Sequence, residues 1–194
     1  MTEFVIEPGA PPRLSCGVFV LRPFQRGDAA AWYSYLADPS VTEHTSWPAV
    51  SPEFIERVVE RIISEYTTGV SLRWALAEAG DDRLIGACGY NVWSGAERRA
   101  ELAYDLAPSY WGRGIMRNAV NTVVGWALNS VGLHRVEALV MTTNQRSIAL
   151  LERCGFQREA LLPGHRMARG VPRDFFLYSA GAPWHTACSP VGGT

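Results

Sequence analysis

The segment Tyr110-Trp111-Gly112-Arg113-Gly114-Ile115-Met116 holds the residues best suited to binding a phosphate. It lies between a strand pattern and a long amphipathic helix pattern. Glycines at 112 and 114 let the backbone approach a ligand. The amides of the following helical turn, reinforced by the helix dipole, favour phosphate oxygens. Without a ligand, the same glycine pair makes a simple turn. The third glycine of a Gly-x-Gly-x-x-Gly fingerprint is replaced by Arg117, and no Gly-Lys-Ser/Thr follows. Neither a dinucleotide loop nor a Walker loop is therefore present, and a nucleotide-binding regulator built on this loop has little support.

The sulfur chemistry is sparse. Cys16, Cys88, Cys154 and Cys188 are widely spaced and form no Cys-x-x-Cys pair, so no metal site and no disulfide framework is expected. Cys154 falls on the apolar stripe of a helix pattern beside Gly155-Phe156 and reads as core rather than nucleophile; Trp126 reads as core likewise. A formal charge of -1 over 194 residues advertises no nucleic-acid partner. No basic-then-apolar leader opens the chain and no apolar run approaches the ~20 residues that span a bilayer, so no membrane contact is expected. A reducing cytoplasm is the expected home.

The elements that must position these residues can be read from periodicity. The length suits one domain, and 47% apolar with 19% charged residues is ordinary for a globular chain. Residues 1–15 read as an extended arm, 16–181 as the folded domain and 182–194 as a frayed tail. Val18–Leu21 suits a first strand. A helix over 28–37, with Asp28 as its cap, and a clearer one over 51–66, with Ser51 and Pro52 at its start and Phe54, Val58 and Ile62 on one stripe, come next. Strand patterns at Leu72–Glu78, Leu84–Tyr90 and Glu101–Leu106 have short turn-rich separators, which predicts an antiparallel meander. Ile115, Ala119, Val123, Trp126 and Ala127 mark a long helix ending near Gly132. A strand at Val136–Thr142, a helix from Asn144 to Gly155, and closing strands at Phe156–Leu161 and Asp174–Tyr178 complete the order. The fold class is mixed α/β (α+β), a single domain with a mostly antiparallel twisted sheet flanked by helices. The strand–helix–strand unit is expected to pair in parallel.

Several linked motifs then resemble one family. Glu101-Leu102-Ala103-Tyr104-Asp105-Leu106 followed by Tyr110-Trp111-Gly112-Arg113-Gly114 resembles the strand and loop of GNAT acyltransferases. Leu133-His134-Arg135-Val136, Asn144-Gln145-Arg146-Ser147, Leu151-Glu152-Arg153-Cys154-Gly155-Phe156 and Glu159, with Asp174 and Tyr178, resemble its ribosomal-protein N-acetyltransferase (Rim-type) branch. There are departures. Trp111 stands where the family's loop often has Gln or Arg, and Met116 where a small residue is expected. Ala103-Tyr104-Asp105 replaces a common Gly-Tyr-Trp. The Asp105 carboxylate would then either face the acceptor or be solvated at a sheet edge.

The resemblance implies acetyl-CoA as acyl donor, no metal, and transfer of the acetyl group to a primary amine of a small molecule or protein N-terminus. Residues Trp111 to Met116 would hold the pyrophosphate through backbone amides. The cofactor would sit where the strand ending at Leu106 and the strand starting at Val136 splay apart, with an amide near Leu106 polarising the thioester carbonyl. Asn144 would hold pantetheine and Ser147 would hydrogen-bond or protonate the leaving sulfur; on local grounds Asn144 is also a helix N-cap and Ser147 a first-turn polar residue. Glu101 would be the base or a structural acid. Counting from Asn144 puts Arg166 where some Rim-type enzymes carry a carboxylate, so catalysis would need His165, Glu101, a water chain or an acceptor already neutral, and His44 is a further catalytic candidate because a histidine titrates in the useful range. Glu43, His44 and Trp47 lie in the loop where the family builds acceptor pockets, and Asn91 and Trp93 are further lining candidates. A non-catalytic acyl-CoA-binding module is the competing reading. An exposed aromatic edge would support a homodimer.

Overall fold

A computed structural model of the chain describes residues 9–45, 47 and 49–184. Its framework is an eight-stranded sheet in the order β1-β2-β3-β4-β5-β6-β8-β7. The strands are β1 (Leu14–Cys16), β2 (Phe19–Pro23), β3 (Leu72–Glu78), β4 (Leu84–Ser94), β5 (Arg99–Leu106), β6 (Arg135–Met141), β7 (Gln157–Ala168) and β8 (Val171–Gly181). Every neighbouring pair is antiparallel except β5–β6, the pair joined by a helical crossover. The expected mixed sheet with one parallel step is therefore what forms.

Helices α1 (Asp28–Leu36), α2 (Pro39–Thr42) and α3 (Pro52–Glu65) fall between β2 and β3. Helix α3 starts as its sequence dictates: the Ser51 hydroxyl accepts from the Phe54 amide, and Pro52 fills the first turn. Ile55, Val58, Val59 and Ile62 are buried along it, each contributing about 1.5–3 kcal/mol. Helix α4 (Ile115–Gly125) runs on as a π-helical turn (Trp126–Val131) and stops at Gly132, whose φ is 86°. Helix α5 (Gln145–Arg153) follows β6 and stops before Gly155, φ 90°. The Tyr90 hydroxyl reaches the Val123 carbonyl of α4, while Trp32 and Tyr35 of α1 reach Asp105, so α4 and α1 cover opposite faces of the sheet.

Several elements differ from expectation. Asp28 lies inside the first turn of α1 rather than capping it, because its carboxylate is taken by Arg22 at 2.7 and 2.8 Å in a buried ion pair. Strand β4 runs four residues past Tyr90. A register shift between Tyr90 and Val92 leaves both Asn91 and Val92 exposed and returns Trp93 to the interior, which breaks the two-residue alternation that sequence reading relies on. Strands β7 and β8 extend into a long hairpin turning at Arg169-Gly170. Its outer half is mostly exposed and contains Pro163 and Gly164, so it reads as loop.

The termini are also more engaged than an arm and a tail. Sheet pairing starts at Leu14, and Trp74 donates from its indole to the Pro12 carbonyl at 2.7 Å. Past β8, Trp184 is buried against Phe156, its backbone bonded by Asn129. Residues 1–8 and 185–194, including Cys188, lie outside the described residues. Cys16, Cys88 and Cys154 are buried and unbridged, and burial pushes the Cys154 thiol up to about 11, consistent with its reading as core.

Candidate active site

The parallel pairing of β5 and β6 runs from Arg99/Arg135 to Leu102/Ala138 and stops there. Both strands continue, to Leu106 and Met141, while their outer edges stay paired: Leu106 with Gly86 of β4, and Met141 with Phe175 of β8. The inner edges thus part, which opens a wedge with unpaired backbone on both sides, between the two strands that the family resemblance pointed to. Ala107 donates to the Ile85 carbonyl on the β4 side at 2.9 Å. Because successive residues of an extended strand point their amides to opposite edges, the Leu106 amide is turned into the wedge.

At the end of β5 a short 3-10 turn (Pro108–Tyr110) leads into the glycine loop. Tyr110 fixes its base: the phenol donates to Glu78 and accepts from Arg83, both at 2.9 Å, and Arg113 lies over the ring. Gly112 and Gly114 have φ of 73° and 72°, the left-handed region that a side chain disfavours. A Cβ added at either would meet nothing within 4 Å, so open space lies above the loop. The first intrahelical bond of α4 is Asn118 to Gly114, which leaves the amides of Ile115, Met116 and Arg117 for a ligand. The Ile115 and Met116 side chains are buried, so these two residues offer the site only their backbone. A pyrophosphate fits this cradle.

Trp111 is more than a loop filler. Its indole N–H donates to the Leu106 carbonyl at 2.8 Å, tying the loop back to the open end of β5. The Arg146 guanidinium of α5 lies 4.2 Å from the ring centre, a cation–π contact across the wedge.

On the other side of the wedge, Asn144 caps α5 by accepting from the Ser147 amide at 3.1 Å. The local reading of Asn144 therefore holds, and it is also what aims Ser147. The Ser147 hydroxyl lies 2.5 Å from the Tyr104 phenol of β5. Burial pushes the Tyr104 phenol well above its usual range, so it carries its proton at neutral pH. Tyr104 and Arg146 are the site residues that sequence reasoning passed over. Alternation along β5 from the open Leu106 end would have pointed to Tyr104.

The α1 face of β5 carries the other candidates. Glu101 sits at the last paired rungs and is held by Arg166 of β7, whose Nη2 lies 3.1 and 2.9 Å from the two carboxylate oxygens. Asp105 is neither solvated nor at an edge, because β5 is an interior strand. It accepts from Trp32 at 2.9 Å, Tyr35 at 2.5 Å and Arg73 at 3.1 Å. Above it, His44 bridges the Glu43 carboxylate (3.2 Å) and the Thr143 hydroxyl (3.4 Å), and Arg169 reaches Thr42 at 3.3 Å. These contacts bring α2, the β7–β8 hairpin and the turn before α5 together around the mouth of the wedge.

Trp47 packs edge-on to Trp32 and Phe54, which places it on the wall behind Asp105. Asn91 is exposed and its amide oxygen accepts from Arg73 at 3.4 Å. Trp93 does not line this face: the β4 register shift turns it to the α4 side, where it packs on Tyr90 and Trp126. His165 falls in the irregular stretch of β7 between Leu162 and Arg166, exposed and edge-on to Phe175; Arg166, not His165, meets Glu101. Among the described residues no three His, Cys, Asp or Glu side chains are grouped to hold a metal, and no helix is long and apolar enough to cross a membrane.

Known proteins agree with this geometry. The sequence profile of the acetyltransferase (GNAT) domain matches residues 19–157. The uncharacterized N-acetyltransferase p20 of Bacillus licheniformis is 31% identical over 82% of this chain and 90% of its own length. The [ribosomal protein uS5]-alanine N-acetyltransferase of Escherichia coli is 27% identical over 59% of this chain and 60% of its own. Among solved structures, Mycobacterium smegmatis RimJ in complex with CoA-disulfide superposes with a TM-score of 0.77 at 30% identity, covering 90% of this chain and 88% of RimJ. With its wedge, glycine loop and Asn144–Ser147 turn, the chain belongs to the GNAT acetyltransferase family, in its Rim-type branch, as an acetyl-CoA-dependent N-acyltransferase.

Proposed function

We propose that the chain acetylates a primary amine, of a protein N-terminus or a small molecule, by direct attack of the amine on the thioester. The observation that carries the reading is the parting of β5 and β6 after Leu102/Ala138 beside an open, left-handed glycine loop. Bound there, acetyl-CoA supplies an activated acyl group. The Gly112–Arg117 backbone amides would hold its pyrophosphate, and Asn144 would hold pantetheine. The Leu106 amide, fixed in direction by the Ala107–Ile85 bond, would favour charge developing on the acyl oxygen.

In the transfer the new N–C bond forms, the C–S bond breaks, one proton leaves the amine and one is needed at sulfur. Ser147 would hydrogen-bond the sulfur as charge builds there, held in aim by the phenol of Tyr104, which burial keeps protonated, and the proton given up by the amine would return to the thiolate through solvent. In this reading the proton leaving the amine is taken by Glu101 or His44. Glu101 is bridged to Arg166, which orients its carboxylate and leaves lone pairs for a water.

The test is isothermal titration of acetyl-CoA into wild type, Gly114→Ala and Gly114→Trp, followed by an amine screen reading thiol release. Wild type should bind. Gly114→Ala, which pays only the strain of a left-handed alanine, should bind more weakly. Gly114→Trp, which fills the space above the loop, should not bind. A folded wild type that ignores acetyl-CoA would end the proposal.

A further inference from the structure

We infer that the acceptor carries a carboxylate close to its reacting amine, and that Arg166 and Arg169 select it. The inference rests on the acetyltransferase reading above and names the class of its acceptor.

The argument begins with charge at the mouth of the wedge. Of the two carboxylates on the α1 face of β5, Asp105 is committed to Arg73, Trp32 and Tyr35. Glu101 is the one left near the acceptor, and it is held by a single nitrogen of Arg166. A guanidinium has five N–H donors in a planar fork, so Arg166 has donors to spare. Its side chain is 37% exposed against 15% for Glu101, so the cation stands on the open side of the pair. Three residues on, Arg169 reaches across to the neutral Thr42 hydroxyl, and Arg173 pairs in register with Arg166. On the same hairpin the exposed Asp174 carboxylate accepts from the Gly164 amide at 2.8 Å.

The mouth therefore presents Glu101 recessed beneath guanidinium groups, with the Glu43 carboxylate at its rim engaged by His44. A polycation would find Glu101 shielded and meet the arginines first. A lone neutral amine would gain nothing from them. An acceptor with an ammonium and a carboxylate matches both: the ammonium meets Glu101 and the carboxylate takes the free side of the Arg166 fork, with Arg169 alongside. An acidic amino acid and a polypeptide with Asp or Glu just after its first residue share this chemistry.

The experiment uses the full chain and four acceptors. Three are hexapeptides identical except at their second and third positions, which are both Asp, both Asn or both Lys; the fourth is free aspartate. Rates are read by thiol release, and peptide binding by calorimetry with CoA present. Charge-assisted bonds of this type are worth roughly tenfold or more in affinity, so the Asp peptide or aspartate should exceed the Lys peptide by about that factor in both readouts. Arg166→Gln and Arg169→Gln should each shrink the preference while the affinity for acetyl-CoA and the circular dichroism stay as in wild type. Preference for the peptide over aspartate, or the reverse, separates the two sources. Equal or better use of the Lys peptide, no reaction or binding of either acidic acceptor, or a preference that survives in the double variant would overturn the inference. Loss of acetyl-CoA binding by wild type would instead strike the underlying acetyltransferase reading.

Discussion

The Tyr104 phenol and the Ser147 hydroxyl lie 2.5 Å apart, a bond that joins the open end of β5 to the first turn of α5 across the wedge. A hydroxyl pair in this position forms a hydrogen-bond relay: the serine O–H can face the departing sulfur while the phenol O–H, which burial keeps in place, donates to the serine oxygen. Removing either end should break the same relay. Ser147→Ala and Tyr104→Phe are each expected to lower kcat by about a hundredfold, the lower end of what a positioned proton donor contributes. The double variant should fall little further, because both act as one unit. Thiol release under saturating acetyl-CoA checks this. Losses that multiply in the double variant would mean that the two hydroxyls act independently.

Asp105 is a stability determinant rather than a group awaiting an acceptor. It takes three donors from α1 and β3, and burial together with its charge holds the Tyr35 phenol well above the usual range, so Tyr35 stays a donor. Asp105→Asn strands the Arg73 cation, whose side chain is 8% exposed. Breaking a buried pair in this way costs about 3 kcal/mol. In a chain of this length the melting temperature should fall by roughly 6–12 °C. Thermal unfolding followed by circular dichroism reads the shift directly. A change under a degree or two would show that the network is solvated and dispensable.

How far the sequence announced all this depends on which residues are asked. The glycine loop, the Asn144 cap and the parallel β5–β6 step follow from local rules: left-handed glycines, a capping side chain and a crossover helix. The wedge was legible only through family resemblance, since no local pattern says where two paired strands part. Trp93 was misplaced because the irregularity at Asn91 inverts the strand's faces. The β7–β8 hairpin was cut short because half-buried Arg166 and exposed Met167 and Arg173 give it no apolar alternation. The Arg166–Glu101 bridge spans 65 positions and joins two strands that are not neighbours in the sheet. Such a pairing is a property of tertiary placement alone.

Glu159 is one of the residues that carry the Rim-type resemblance, and the structure gives it a structural partner. Arg135, from the Leu133–Val136 motif, meets both of its carboxylate oxygens at 2.9 and 2.5 Å, and Ser179 donates to it at 2.5 Å. The hydrogen bonds from Arg135, then that from Ser179, pull the Glu159 carboxyl down to about 2 from a usual 4.5. A carboxyl acidified by folding binds fewer protons in the native state than in the unfolded one, so stability rises with pH across that interval. The contribution is therefore complete above about pH 4.5 and is lost as pH falls toward 2. Because the side chain is 39% exposed, solvent screening limits it to about 1 kcal/mol or less. Urea unfolding of wild type and Glu159→Gln should show wild type more stable by up to that amount at pH 7. The gap should narrow steadily between pH 5 and pH 3, with kcat little changed at pH 7. A gap that holds constant with pH would mean that the charge contributes nothing. A collapse of kcat at unchanged stability would instead give Glu159 a part in the reaction.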